Sequence, residues 1–228
     1  MAGMGAFNAY KEARLDLDPA IQGSTVAIRL PSHGASRATQ KRSHLVDVPI
    51  AEDEGTFRQK YLATAASIYH RAHHKSPRSF LWRVLEEGKV LSIRAVDVYR
   101  QLNTADANLT LRLEFPSPIR PACIALSDSK EHDVLSVFVL TESKYLYTLS
   151  LRPDYFRKSS STENNVADWC KSYLSSQFAF KTPHRLAALT ADELLISQID
   201  GQLLKLERKS GGDGKHALFW RQLAAQLC

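Results

Sequence analysis

The sequence predicts a mainly β protein, a partial β-propeller of WD40-like blades with inserted helices. Three observations predict it. First, one strand pattern is written twice. It runs through residues 121–128, then DVLSVFVLT from Asp133, then KYLYTLSL from Lys144. It returns through residues 183–190, then DELLISQI from Asp192 and QLLKLER from Gln202. Pro121 and Pro183 stand 62 residues apart, as do Ile124 and Leu186. Each copy supplies a short inner strand, a buried strand, a tight turn and an amphipathic strand, which is how a propeller blade reads. Second, from Ser79 the apolar period is two, the period of strands. Third, glycine stands where hairpins must turn, at Gly88 and in Asp200-Gly201.

Taken in order, residues 1–9 are small and permissive and read as a frayed end. Residues 10–18 and 24–30 alternate apolar and polar side chains, with Pro19 and Gly23 between them, and read as two short strands. Residues 31–43 are polar and basic, a connecting loop. Residues 53–69 are expected to form a helix: Phe57, Tyr61, Leu62, Ala65, Ile68 and Tyr69 share one face at the 3.6 period. Asp53 or Thr56 would cap it, and His70, Arg71 and Lys75 suit its C-terminal end. Residues 10–75 thus read as strands, basic loop and helix joined to a propeller region at 76–228.

In that region FLWRVL, the turn Glu86-Glu87-Gly88-Lys89 and VLSIRAVDV form a hairpin, with Gly88 supplying a positive φ. Leu109, Leu111, Leu113 and Phe115 alternate with polar residues as a half-buried strand, ended by prolines 116, 118 and 121. DVLSVFVLT is nearly all apolar, as a strand covered on both faces must be. Between the two copies lies a helical insertion at 154–182. Its polar loop is RKSSSTENN, and its helix is expected at 166–178, with Val166, Trp169, Cys170, Tyr173, Leu174 and Phe178 on one face. Trp169, Tyr173, Leu174 and Phe178 are the candidate residues for partner binding or packing on the rim. Their serine-rich opposite face also suits a curved membrane, but so large an aromatic payload favours packing.

The bulk numbers narrow the function. The net charge is +6, with basic residues scattered apart from clusters at 37–44 and 70–75. That is a solvated surface rather than specific nucleic-acid recognition. Cys123, Cys170 and Cys228 have no framework spacing, so they are expected as free thiols in a reducing compartment. No run approaches the ~20 apolar residues of a membrane span. Lys11, Glu12 and Arg14 exclude a secretory signal. At roughly 40–50 residues a blade, the part after Ser76 holds three to four blades, which points to a piece of a longer ring. No catalytic motif is present. SGGDGK at 210–215 lacks phosphate-loop spacing, and His70, His73 and His74 have no further ligand to complete a metal site. Neither an enzyme nor a cofactor is expected.

SPRSFLWRVLEEGKVLSIRAVDV, LTLRLEFPSPIRPACIAL and HRLAALTADELLISQIDGQLLKL resemble the N-terminal region of the large Y-complex nucleoporins, one-twenty of fungi and one-sixty of animals and plants. The opening YKEARLDLDPAIQGSTVAIRLPS is similar to the start of the fungal members. The resemblance covers most of residues 10–208. It implies a propeller interrupted by helices and continued by a helical domain, in one short arm of the nuclear pore scaffold. It further implies a place in the nucleus at the nuclear envelope, a part in transport and messenger RNA export, and other Y-complex nucleoporins as partners. A peripheral membrane contact is compatible with it, and it brings no cofactor and no active site. The rival reading is a WD40-like adaptor of a vesicle coat or ubiquitin ligase. The missing GH and WD signatures weaken it.

Overall fold

The computed structural model describes residues 25–30, 40–41, 63–71, 79–96, 110–129, 132–156, 166–174, 182–210 and 218–224. These residues form three sheets, each built on a four-stranded antiparallel propeller blade. Blade 1 contains β3 (Ala65–His70), β4 (Ser79–Leu85), β5 (Val90–Val96) and β6 (Thr110–Glu114). It is widened by β1 (Thr25–Arg29), which runs parallel to β6, and by β2 (Gln40–Lys41) beyond it. Blade 2 contains β7 (Ile119–Asp128), β8 (Leu135–Thr141), β9 (Tyr145–Leu151) and β10 (Cys170–Leu174). Blade 3 contains β11 (Pro183–Ala188), β12 (Glu193–Gln198), β13 (Leu203–Ser210) and β14 (Leu218–Ala224). In each blade the strands pair in chain order.

Blade 2 is the middle layer, and its apolar runs follow from that place. All seven residues of β8 are buried. Leu135, Val137 and Val139 point into the core shared with blade 1, while Phe138 and Leu140 point into the core shared with blade 3. β7 divides in the same way, with Ile124 and Leu126 on one side and Cys123 and Ala125 on the other. A strand with two apolar neighbours has no solvent face, so the alternation of a half-buried strand disappears. β6 does alternate: Leu111 and Leu113 are fully buried, whereas Thr110, Arg112 and Glu114 are half-buried. Edge-to-face contact of Phe115 with Tyr147, centroids 5.1 Å apart, closes the first core.

The expected hairpins form. In the β4–β5 turn Glu86, Glu87 and Gly88 all have positive φ, and in the β12–β13 turn Gly201 has φ 84°. Two expected helices give way to strand within the described residues. Residues 65–69, assigned to the helix at 53–69, lie in β3, the innermost strand of blade 1; residues 53–62 lie outside the described residues. Ile68 and Tyr69 satisfy a helical spacing, but their neighbours are Leu81 and Phe80 across an antiparallel ladder. The second helix, expected at 166–178, is a single turn, α1 (Val166–Trp169), leading directly into β10. The blade needs a fourth strand, and pairing of Cys170–Leu174 with β9 outweighs the local helical period. Pro121, expected to open the inner strand, lies inside β7, at a register shift between Ile119 and Ile124 that spares the ladder its missing N–H. The expected frayed end at 1–9, the strand at 10–18, the polar loop at 157–165 and most of the loop at 31–43 lie outside the described residues.

Candidate functional site

The two rims of the stack differ. On one rim short turns are stitched to the links between blades by main-chain hydrogen bonds. Phe115 N donates to Lys89 O and Ile119 N to Gly88 O, each at 2.8 Å. Glu142 N donates to Pro118 O at 2.8 Å, and Ile199 N to Thr182 O at 3.0 Å. The β4–β5 hairpin therefore holds the link that leaves its own blade, and the β8–β9 and β12–β13 hairpins hold the links that enter theirs. Gly88 lies against the link leaving blade 1, where an added Cβ would meet Pro118 at 3.4 Å.

The opposite rim carries the charged and aromatic groups. Arg71, just beyond β3, is 2% exposed. Its Nη2 lies 2.7 Å from Asp133 Oδ1, its Nε lies 3.8 Å from Asp128 Oδ2, and its guanidinium stands over the Phe80 ring. The Tyr69 hydroxyl donates to Asp128 Oδ1 at 2.6 Å. Burial first, then the hydrogen bond to Asp128, pushes the Tyr69 phenol well above its ordinary value. This node joins the innermost strand of blade 1 to that of blade 2. Arg71 had the look of a solvated helix end in the sequence, because nothing local marks a cation whose partners lie beyond residue 127.

Between blades 2 and 3 the same rim opens into a cleft of about 400 Å³. Trp169 and Tyr155 form one wall, their rings 5.4 Å apart and tilted by 35°. Ser136 and Ser150 contribute hydroxyls, and Arg152, Asp168, Asp192 and Arg208 bring charges of both signs. Arg208 Nε lies 3.4 Å from Asp192 Oδ1. The arrangement offers hydrogen bonds and an aromatic wall to a polar segment.

Trp169 is thus buried at the end of α1. Tyr173 is half-buried on β10 against the second core, and Leu174 is half-buried at the end of β10. Phe178 lies outside the described residues. Trp169, Tyr173 and Leu174 do not share the helical face expected of them, and within the described residues the amphipathic helix that suggested a membrane contact is not formed. Cys123 and Cys170 are buried free thiols, pushed by burial up to about 11 and about 12. Among the described residues no group of three His, Cys, Asp or Glu side chains is placed to hold a metal ion, and no helix is long and apolar enough to cross a membrane.

A family model described as Nucleoporin Nup120/160, beta-propeller domain, matches residues 78–224. The chain belongs to the Nup120/160 nucleoporin family. Within that family it is similar to Nucleoporin NUP120 of Chaetomium thermophilum, 45% identical over 93% of this chain and 17% of that protein. It is also similar to Nucleoporin nup120 of Schizosaccharomyces pombe, 23% identical over 68% of this chain and 13% of that one. The chain therefore spans less than a fifth of either Nup120/160 relative. Among solved structures, Kluyveromyces lactis Hsv2 aligns with 68% of this chain and 45% of its own at 13% identity and a TM-score of 0.36, a likeness that carries no argument.

Proposed function

We propose that this chain is part of a structural scaffold subunit of the nuclear pore complex, in the Y-complex outer coat at the nuclear envelope, and that it supports nucleocytoplasmic transport and messenger RNA export through protein–protein contacts. The observation that carries the reading is the 45% identity to a nucleoporin over nearly the whole chain. The geometry is compatible with it. Three stacked blades bury two apolar cores, one on either side of blade 2; one rim is tied down by main-chain hydrogen bonds, and the other offers an open polar cleft beside Trp169 and Tyr155. A rigid body with one furnished rim suits docking.

The partners in this reading are the other Y-complex nucleoporins. The test is affinity capture of the complete native protein under gentle conditions, with quantitative mass spectrometry of what co-elutes. Y-complex nucleoporins at near-equal amounts support the reading. Recovery of a vesicle coat or a ubiquitin ligase instead overturns it. Reversing Asp168 and Arg152 together, at the mouth of the cleft, is expected to lose one partner while the others are retained.

A further inference from the structure

The cleft between blades 2 and 3 exists because apolar packing stops short of the rim. On the face of blade 2 turned to blade 3, Cys123, Ala125, Phe138, Leu140 and Leu146 fill the second core. Toward the rim the same face ends in Ser127, Ser136 and Ser150, in register across β7, β8 and β9. Blade 3 changes in step. Leu194 and Leu206 stand opposite each other in that core. The next positions of their face are Asp192 and Arg208, where Arg208 N donates to Asp192 O at 2.8 Å. Serine is too small to fill the gap, so about 400 Å³ stays open. That lies within the roughly 300–1,000 Å³ of ordinary binding pockets.

Two observations define what fits this space. Arg208 Nε is buried and makes no hydrogen bond among the described residues, although Asp192 Oδ1 lies 3.4 Å away. A buried donor left unmade calls for an acceptor. The formal charges of the lining also balance, Arg152 and Arg208 against Asp168 and Asp192, with exposed His132 the remaining basic group. An anion brought to Arg208 therefore meets Asp192, and a cation brought to Asp192 meets Arg208. Neither lone ion is compensated there. An uncharged group with an acceptor at one end and donors at the other suits both neighbours at once.

We propose that this cleft binds an asparagine or glutamine side chain on an extended segment of a partner subunit. A primary amide has that polarity: its carbonyl oxygen accepts from Arg208 Nε and a serine hydroxyl, and its NH₂ donates to Asp192. The tilted rings of Tyr155 and Trp169 cover the methylene part of such a side chain. The site rests on the docking reading of this rim given above, and names the chemistry of what docks.

The experiment places a photoreactive benzophenone amino acid at His132 in the complete native protein, with Ala191 as a second position should the first disturb the fold. After irradiation, mass spectrometry identifies the attached segment. The expected product joins another protein, with Asn or Gln at or next to the attachment point. Replacing that residue by Glu and, separately, by Lys should each lower the yield about tenfold. A crosslink to a segment without a neighbouring Asn or Gln, to lipid or to this same polypeptide overturns the proposal. So does an unchanged yield with Glu or Lys, or no crosslink from either position. Failure of the coat reading looks different. A crosslink through Asn or Gln to a vesicle-coat or ligase subunit keeps the site and overturns the coat, whereas captured Y-complex nucleoporins without any crosslink do the opposite.

Discussion

Lys144 occupies the left-handed region, φ 66°, in the β8–β9 turn. A side chain there costs roughly 1–2 kcal/mol, which glycine avoids at some cost in chain entropy. Lys144→Gly is expected to stabilise the fold by about 1 kcal/mol in urea titration. Gly88→Ala should do the reverse, because φ is 89°, a conformation that strains any side chain. The buried Arg71 is a different case. Removing one member of a buried ion pair leaves the other charge stranded, so Arg71→Met should cost about 3–5 kcal/mol, far more than any exposed arginine. The thiols give a pH prediction. Cys123 and Cys170 have folded values of about 11 and about 12 against an ordinary 9.0. Their contribution is intact below pH 9.0 and is lost as pH climbs through the folded values. The urea midpoint should therefore fall between pH 8 and pH 11. Both thiols should also resist a disulfide reagent in native protein at pH 8 and react on unfolding.

Elements show where the sequence was legible. β6 could be read outright, because one face is buried and the other is not, so Leu111 and Leu113 alternate with Arg112 and Glu114. β8 was legible for the opposite reason: a strand between two cores has no polar positions to interrupt it. Gly88 and Gly201 mark turns because a positive φ selects glycine, whereas Lys144 carries no such mark. β3 and β10 were misread for one shared reason. Each is short and lies against a single paired strand, so its apolar residues fit both 2.0 and 3.6 periods, and the ladder partner decides. Of the candidate site, Trp169 was singled out, but its companions Tyr155, Arg152 and Arg208 come from other segments, and no local pattern joins them. Trp169→Ala should cost about 3–5 kcal/mol, because it empties a buried site against Tyr155. Leu174→Ala, at the half-buried end of the same segment, should cost clearly less. Equal losses in chemical denaturation would sink this account of β10.

At the scale of the molecule, the stack predicts a gradient of stability. β8 contributes to both cores, so its amides should exchange only on global opening. β1 and β2 flank blade 1 beyond its four meandering strands, and their amides should exchange sooner through local opening. Hydrogen exchange read by mass spectrometry distinguishes this from uniform protection. The stack also explains why blade 2 has the clearest sequence signature: its apolar demand comes from two neighbours, while blades 1 and 3 each have one charged outward face.

The parallel pairing of β1 with β6 bears on how the chain is made. Thr25 leaves the ribosome early, but its place in the sheet is beside Thr110. Blade 1 must first run through β3, β4, β5 and β6 before that edge exists. During synthesis the earliest of these strands therefore waits longest, and a pause after β5 would leave it with nothing to join.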